Sequence, residues 1–154
     1  MQPKPTSTSR SADALTVWTI GHSNRSKETF LELLQAYDVQ VLVDVRSFPT
    51  SKIAHFKRQE MEQWLPENRV EYLWLGKELG GYRSGGYQKH MRTKLFKEGI
   101  KNLLEIALEK RTCIMCMEAN PRYCHRRFIS AHLEKKRIEV IHIIAKAQTN
   151  LLKL

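Results

Sequence analysis

The feature that most constrains the fold of this chain is a regular alternation between short apolar runs and longer stretches whose apolar residues recur at helical spacing. The apolar runs cover residues 16–20, 39–45, 70–75, 112–117 and 138–144. Each is rich in β-branched or other apolar side chains, which favours a strand. Parallel strands need a crossover between them, usually a helix, so the alternation predicts an α/β fold. We expect a single three-layer domain, with a mainly parallel sheet of about five strands and helices on both faces.

The stretches between the predicted strands carry helix signals of their own. Ser26 is a residue type that caps helices, and an amphipathic stretch follows it. We predict a short helix that ends just before Pro66 and a long amphipathic helix that ends near Lys110. A further helix is predicted over residues 124–137, with Cys124 at its start.

Composition indicates the extent and the location of the folded part. With 154 residues, of which 42% are hydrophobic, the chain can build one core over residues 15–154. Residues 1–14 cluster Ser, Thr and Pro without apolar periodicity, which predicts a disordered tail. No run approaches the roughly 20 apolar residues that span a bilayer, and no signal peptide is evident. Three cysteines do not indicate a disulfide framework, so we expect a cytoplasmic protein without a membrane partner.

The charge of the chain predicts an anionic partner. The formal net charge is +10, from 26 Lys and Arg against 16 Asp and Glu. Residues 46–58 contain four basic residues and residues 83–97 contain five, with no acidic residue in either stretch. Basic loops without interspersed acids are typical of proteins that bind phosphorylated small molecules or nucleic acid. The charge alone does not choose between these two partners.

The polar residues that carry chemistry follow the predicted strands. In open α/β sheets, ligands bind outside the carboxyl ends of the strands, where these loops meet. The predicted catalytic residues are Cys124, His125, Glu118, His22 and Cys116. The predicted substrate-binding residues are Ser23, Asn24, Asp44, Arg46, Ser51, Lys77, Arg83 and Arg126.

The segment CMEANPRYCHRR, residues 116–127, holds the most reactive side chains. At a helix start and beside His125 and Arg126, Cys124 is a candidate thiolate nucleophile. Glu118 can serve as a general acid or base. The pair Cys113 and Cys116 has zinc-knuckle spacing, but side chains three apart on a strand point to opposite faces, which excludes one shared ion.

Two other interpretations of this segment stay open. A metal site could combine Cys116, Cys124 and either His125 or His22, although the sequence shows no paired ligand pattern and we predict no metal ligand. Cys116 followed by Arg122 has the spacing of a phosphatase loop. That loop normally uses glycines to present its amides to phosphate, and here it has none.

Five blocks of the sequence resemble one known family. They read GHSNRS, LVDVRSFPTS with HFKR, YLWLGKELGGYR, GYQKHMRTKLFKEGI, and CMEANPRYCHRR. Together they are similar to the family named domain of unknown function 488, whose closing signature is Cys-x-Glu-x-x-Pro-x-x-Cys-His-Arg. The resemblance implies a shared site that includes Cys116, Glu118, Cys124, His125 and Arg126. It names no reaction, so the cofactor and the oligomeric state stay unknown.

Two functional hypotheses follow. The first is an enzyme that holds an anionic, nucleotide-like or phosphorylated substrate with basic side chains and uses Cys124 as its nucleophile. The second is a non-catalytic module that binds nucleic acid through the same basic loops, with Trp18, Trp74, Tyr82 or Tyr87 supplying base stacking. The metal site is a third, weaker interpretation of the cysteines.

Overall fold

The structure is a computed structural model that describes residues 15–146. Within these residues, five strands form one parallel sheet in the order β3-β2-β4-β1-β5. The strands are β1 (Thr16–Gly21), β2 (Val41–Asp44), β3 (Glu71–Trp74), β4 (Thr112–Cys116) and β5 (Glu139–Ile143). Every predicted strand is present, and the α/β class is confirmed. The predicted tail over residues 1–14 lies outside the described residues.

Helices connect the strands. They are α1 (Lys27–Ala36), α2 (Arg58–Glu67), α3 (Gly76–Leu79), α4 (Tyr87–His90), α5 (Lys94–Glu109) and α6 (Arg126–Lys135), with 3₁₀ turns at Ala54–Phe56 and Pro121–Tyr123. The Ser26 side chain accepts a hydrogen bond from the Thr29 N–H and caps α1, as predicted. Among the described residues, none of the helices has the length and apolar character needed to cross a membrane.

The sheet separates two apolar cores, which confirms the three-layer architecture. Phe30 of α1 and Trp64 of α2 belong to the core on one face. Helices α3 to α6 cover the other face. The alternation of side chains along β4 places Cys116 in the second core and Cys113 in the first. The two thiols therefore lie on opposite faces, as the strand periodicity predicted.

The start of the last helix differs from the prediction. Helix α6 begins at Arg126, and Cys124 has an extended backbone with φ of −143°. The Asn120 side chain accepts a hydrogen bond from the Arg122 N–H at 2.9 Å and begins a separate 3₁₀ turn before it. The end of α2 also differs from the prediction, since Pro66 lies inside the last turn of the helix and not beyond it. A proline is tolerated there because its missing N–H removes only one backbone hydrogen bond near the helix end.

The strand order makes β1 and β4 neighbours, so the loops that follow them meet at the carboxyl edge of the sheet. Helix α1, which follows β1, packs on one face of the sheet, whereas α6, which follows β4, packs on the other. Neighbouring strands whose following loops diverge to opposite faces form a topological switch point. Sequence order alone could not identify these two strands as neighbours.

Candidate functional site at the carboxyl edge of the sheet

The loops after β1 and β4 are joined by backbone contacts at the switch point. The His22 N–H donates to the Cys116 carbonyl at 2.9 Å, and the Ser23 N–H donates to the Met117 carbonyl at 2.7 Å. Gly21 permits this approach, because a Cβ atom there would lie 1.7 Å from the Glu118 carbonyl oxygen. The segment after β4 is thereby held against the end of β1.

The two cysteines of this segment meet in space. Cys116, at the end of β4, is 2% exposed, and Cys124 is 8% exposed. Their sulfur atoms are joined as a disulfide across eight residues, with Cα atoms 7.4 Å apart. The sequence indicated no disulfide framework and did not predict this single pairing. The cysteine count could not show that the loop over residues 117–123 folds back on the strand end.

Two further groups surround the cysteine pair. The Arg126 backbone N–H, at the start of α6, points at the Cys124 sulfur at 3.2 Å. A Glu118 carboxylate oxygen and the two sulfurs lie within 4.8 Å of one another. Glu118 is partly exposed, so solvent reaches its carboxylate. Once the disulfide is reduced, two thiolates and one carboxylate oxygen are a donor set that Zn²⁺ accepts, with its fourth position left for water.

His125 lies beside the cysteine pair and is held in one tautomer. Its Nε2 is 2.9 Å from the Val45 carbonyl, which can only accept, so Nε2 carries the proton and Nδ1 is a free acceptor. Burial lowers the pKa of His125 to about 4, with a smaller opposing effect of the Val45 carbonyl. The ring is therefore neutral at pH 7. Tyr87 packs 5.4 Å from it, centroid to centroid.

A second polar cluster lies on the opposite face of the same edge. Asp44 and Arg46 form a bidentate ion pair, with Nε 2.9 Å from Oδ1 and Nη2 2.7 Å from Oδ2. The Tyr72 hydroxyl donates to the same carboxylate. Both charged side chains are buried, at 0% and 6% exposure.

The remaining donors of Arg46 also go to protein atoms. Its Nη1 donates to the Phe56 carbonyl at 2.8 Å and to the Thr50 carbonyl at 3.2 Å. It also lies 3.4 Å from His22 Nε2. With all its donors directed inward, Arg46 anchors the loop after β2 rather than presenting a free cation to solvent.

His22 connects this cluster to the switch point. Its ring stacks on Phe56 at 4.5 Å, and its Nδ1 donates to the Ser23 carbonyl at 2.9 Å. Burial lowers the pKa of His22 to about 4, the Ser23 carbonyl opposes this, and the Arg46 cation lowers it further. His22 is neutral at pH 7, as His125 is. The two imidazoles occupy opposite faces of the sheet edge.

Arg126 is entirely enclosed. Its guanidinium donates to Thr19 Oγ1 at 3.2 Å and to the carbonyls of Glu118 and Ala119 at 2.8 and 3.2 Å. Burial lowers its pKa to about 10. Arg126 thus fixes the loop that carries Glu118 and leaves its backbone N–H to face the Cys124 sulfur.

The other predicted residues lie at the rim of the site. Arg83 donates to the carbonyls of Gly80, Gly76 and Lys77, closing the end of α3. The Ser51 hydroxyl accepts from the Ile53 N–H within its own turn. The Lys77 and Asn24 side chains are exposed. Ser23 has a left-handed backbone, with φ of 48°, at the bend after β1.

Sequence reasoning missed several partners of the site residues. The Tyr72 hydroxyl donates a hydrogen bond to Asp44. The Thr19 hydroxyl accepts a hydrogen bond from Arg126 and lies 2.6 Å from Nδ1 of His142. Strand alternation was the one available signal, since Asp44 and Tyr72 have even positions on strands that prove to be neighbours. The strand order needed to use that signal is a tertiary property.

The comparisons with known proteins identify a family. The family model described as "Domain of unknown function DUF488" matches residues 26–133 of this chain. Those residues include β2, β3, β4, the whole cysteine segment and all but the last two residues of α6. Neither the curated proteins nor the solved structures with which the chain was compared gave a match.

Proposed function

We propose that this chain, which belongs to the DUF488 family, is an enzyme that acts on an anionic substrate through the thiolate of Cys124. The observation that carries the proposal is the environment of the Cys124 sulfur: the Arg126 N–H at 3.2 Å, the start of α6, and Glu118 nearby. An N–H group and a helix start both favour a negative sulfur. The site lies at the topological switch point, where α/β folds bind ligands.

The disulfide is the resting, oxidised form in this proposal. A reducing thiol opens it, which leaves Cys124 as nucleophile and Cys116 beside it as a second thiol. The Glu118 carboxylate takes the proton of Cys124, whose Sγ attacks the electrophilic centre of the substrate, and the leaving group departs with that proton. Water, deprotonated by Glu118, then hydrolyses the covalent intermediate and returns the Cys124 thiol. His125, with a pKa of about 4, stays neutral at pH 7 and offers Nδ1 as a hydrogen-bond acceptor.

The anionic character of the substrate is proposed from the charge of the rim. The donors of Arg46 and the two Nη groups of Arg126 are occupied by protein acceptors, so these side chains position loops rather than bind the substrate. Many of the cations open to solvent near this edge are lysines and arginines of the two acid-free stretches. They include Lys52, Lys57, Lys89 and Arg92, all exposed. Flexible lysines suit a phosphate, which they meet as point charges.

Alkylation of the reduced protein tests the nucleophile. Iodoacetamide labelling is measured at a series of pH values by mass spectrometry. It should modify Cys124 already at pH 7, whereas an ordinary thiol, with a pKa of about 8.5, reacts readily only near that pH. Turnover of a panel of nucleotides and sugar phosphates should require reductant and vanish in Cys124→Ser. Cys113→Ser is the matched control, because Cys113 is buried on the other face. Labelling of Cys124 that begins only near pH 8.5 would contradict the proposal.

A second candidate function is metal binding by Cys116, Glu118 and Cys124, favoured by the mutual distance of their ligand atoms. In this case Cys116, Glu118 and Cys124 would hold Zn²⁺, which would supply the activation of the attacking group in place of the Cys124 thiolate. Reduced protein dialysed with Zn²⁺ and then freed of excess should retain one equivalent. Glu118→Gln should weaken the retention and Cys113→Ser should not. Absence of retained metal would remove this candidate and leave the thiolate enzyme.

A further inference from the structure

Among the described residues, the large apolar and aromatic side chains that are most exposed to solvent lie at the edge of the sheet that carries the cysteine pair. Phe48 is 64% exposed, Tyr82 78%, Tyr123 76% and Met117 54%, and all four lie in loops at the carboxyl edge. Single exposed apolar side chains are ordinary, whereas a group at one edge marks an interaction surface.

Phe48 and Tyr82 form a fixed pair within this group. Their ring centroids are 5.3 Å apart, although they come from different loops. The Tyr82 N–H donates to the Ser47 hydroxyl at 3.0 Å, which ties the two loops together next to the rings. Two aromatic rings held together and left open to solvent form a preorganised platform for stacking.

The platform adjoins the cysteine site. Gly81, next to Tyr82, lies so close to His125 that an added Cβ atom would be 2.7 Å from Nδ1. His125 precedes Arg126 and follows Cys124. The backbone next to Tyr82 therefore packs against His125, the residue that follows Cys124.

We infer that the Phe48–Tyr82 platform binds single-stranded nucleic acid, whose bases stack on the rings and whose phosphates meet the surrounding cations. Exposed Lys52 and Lys57 follow Phe48, and exposed Lys89 and Arg92 follow Tyr82, with no acidic residue among them. Aromatic stacking beside a cationic track is how proteins bind single strands. A free nucleotide is a weaker fit, because small ligands are usually enclosed in a cavity, whereas these rings protrude.

This inference rests on the proposed function in one respect only: it makes the strand the anionic substrate presented to Cys124. Its own test is binding. Fluorescence anisotropy with a labelled oligothymidylate of about twelve nucleotides should show binding to wild type that weakens from about 50 to 200 mM salt. Each neutralised phosphate adds roughly 0.7 to the slope of log affinity against log salt.

The platform variants are Phe48→Ala and Tyr82→Ala, and each should weaken the oligonucleotide by about fivefold or more. Tyr82→Phe keeps the ring and should bind as wild type does. Leu108→Ala is the matched surface control, because Leu108 is 43% exposed near the end of α5, away from this edge. The inference is overturned if the oligonucleotide does not bind, if both alanine variants bind normally, or if only mononucleotides produce a thermal shift.

A trapping experiment separates this inference from the proposed function. An oligothymidylate carrying a pyridyl disulfide should react in the Cys116→Ser background, where the Cys124 thiolate forms the mixed disulfide and releases pyridine-2-thione. Tyr82→Ala should slow this trapping, while alkylation of Cys124 by iodoacetamide stays unchanged. Normal binding without trapping would reject the placement beside Cys124. Slow alkylation with normal binding would reject the thiolate enzyme and leave the platform.

Discussion

Replacing Asp44 by Asn should destabilise the protein far more than any surface ion-pair variant. The substitution keeps the shape of the side chain but removes its charge. The amide cannot accept from Arg46 Nε, Arg46 Nη2 and the Tyr72 hydroxyl together, as the carboxylate does. Arg46 then remains buried as an uncompensated cation, at 6% exposure.

The expected magnitude follows from this burial. Breaking a buried ion pair by removing one partner costs about 3–5 kcal/mol. That is a large part of the roughly 5–15 kcal/mol that stabilises an ordinary domain. With a urea m-value of about 2 kcal/mol/M, the midpoint should fall by roughly 2 M at unchanged slope.

Urea unfolding followed by tryptophan fluorescence measures the effect, with Glu62→Gln as the control. Glu62 pairs with Arg58 at 3.1 Å, but the two side chains are 47% and 40% exposed, so its loss should cost no more than about 0.5 kcal/mol. Adding Arg46→Met to Asp44→Asn should restore part of the stability, because it removes the stranded charge. A cost for Asp44→Asn within about 1 kcal/mol of Glu62→Gln would refute the anchoring role of Arg46.

Three further outcomes are expected. The free energy of unfolding should decrease as the pH falls from 6.5 towards 4. His22 and His125 have pKa values near 4 in the folded protein and near 6.5 in the unfolded chain. The unfolded chain therefore binds protons first and is favoured at low pH. Each of these histidines should lower the free energy of unfolding by about 2 kcal/mol between pH 7.5 and pH 5. In His22→Gln, the free energy of unfolding measured by denaturation should depend less on pH. An equally steep pH dependence in that variant would count against His22. Gly81→Ala should displace the His125 ring, because the new Cβ atom would lie 2.7 Å from Nδ1, and should therefore change the rate of Cys124 alkylation. Gly86→Ala is the control: its Cβ atom would have no neighbour within 4 Å and should strain only its own backbone. Native Cys113 should resist alkylation at pH 8 until the protein is denatured, since burial raises its pKa, and rapid native labelling would show that the sheet opens readily.

Local patterns in the sequence were sufficient to predict the strands, the side-chain orientation of the β4 cysteines and one helix cap. Apolar runs and helical periodicity predicted the five strands, because burial of both sheet faces demands continuous apolar residues whatever the strand order. The alternation of strand side chains separated Cys113 from Cys116 without any knowledge of neighbours. The capping of α1 by Ser26 is equally local, since it depends on contacts within one turn.

The site depended on distant contacts that no local pattern encodes. The order β3-β2-β4-β1-β5 makes β1 and β4 neighbours, although about a hundred residues separate them along the chain. That order joins His22 to the cysteine loop, and places Tyr72 beside Asp44. It also explains why Arg46, a candidate anion ligand in the sequence, is an internal anchor: its acceptors are supplied by the carboxylate of Asp44 and by carbonyls of a loop that folds over it. Charge and residue type follow from the sequence, but whether a charge faces solvent or a buried partner is decided by packing between distant segments, because desolvation depends on everything that surrounds the group.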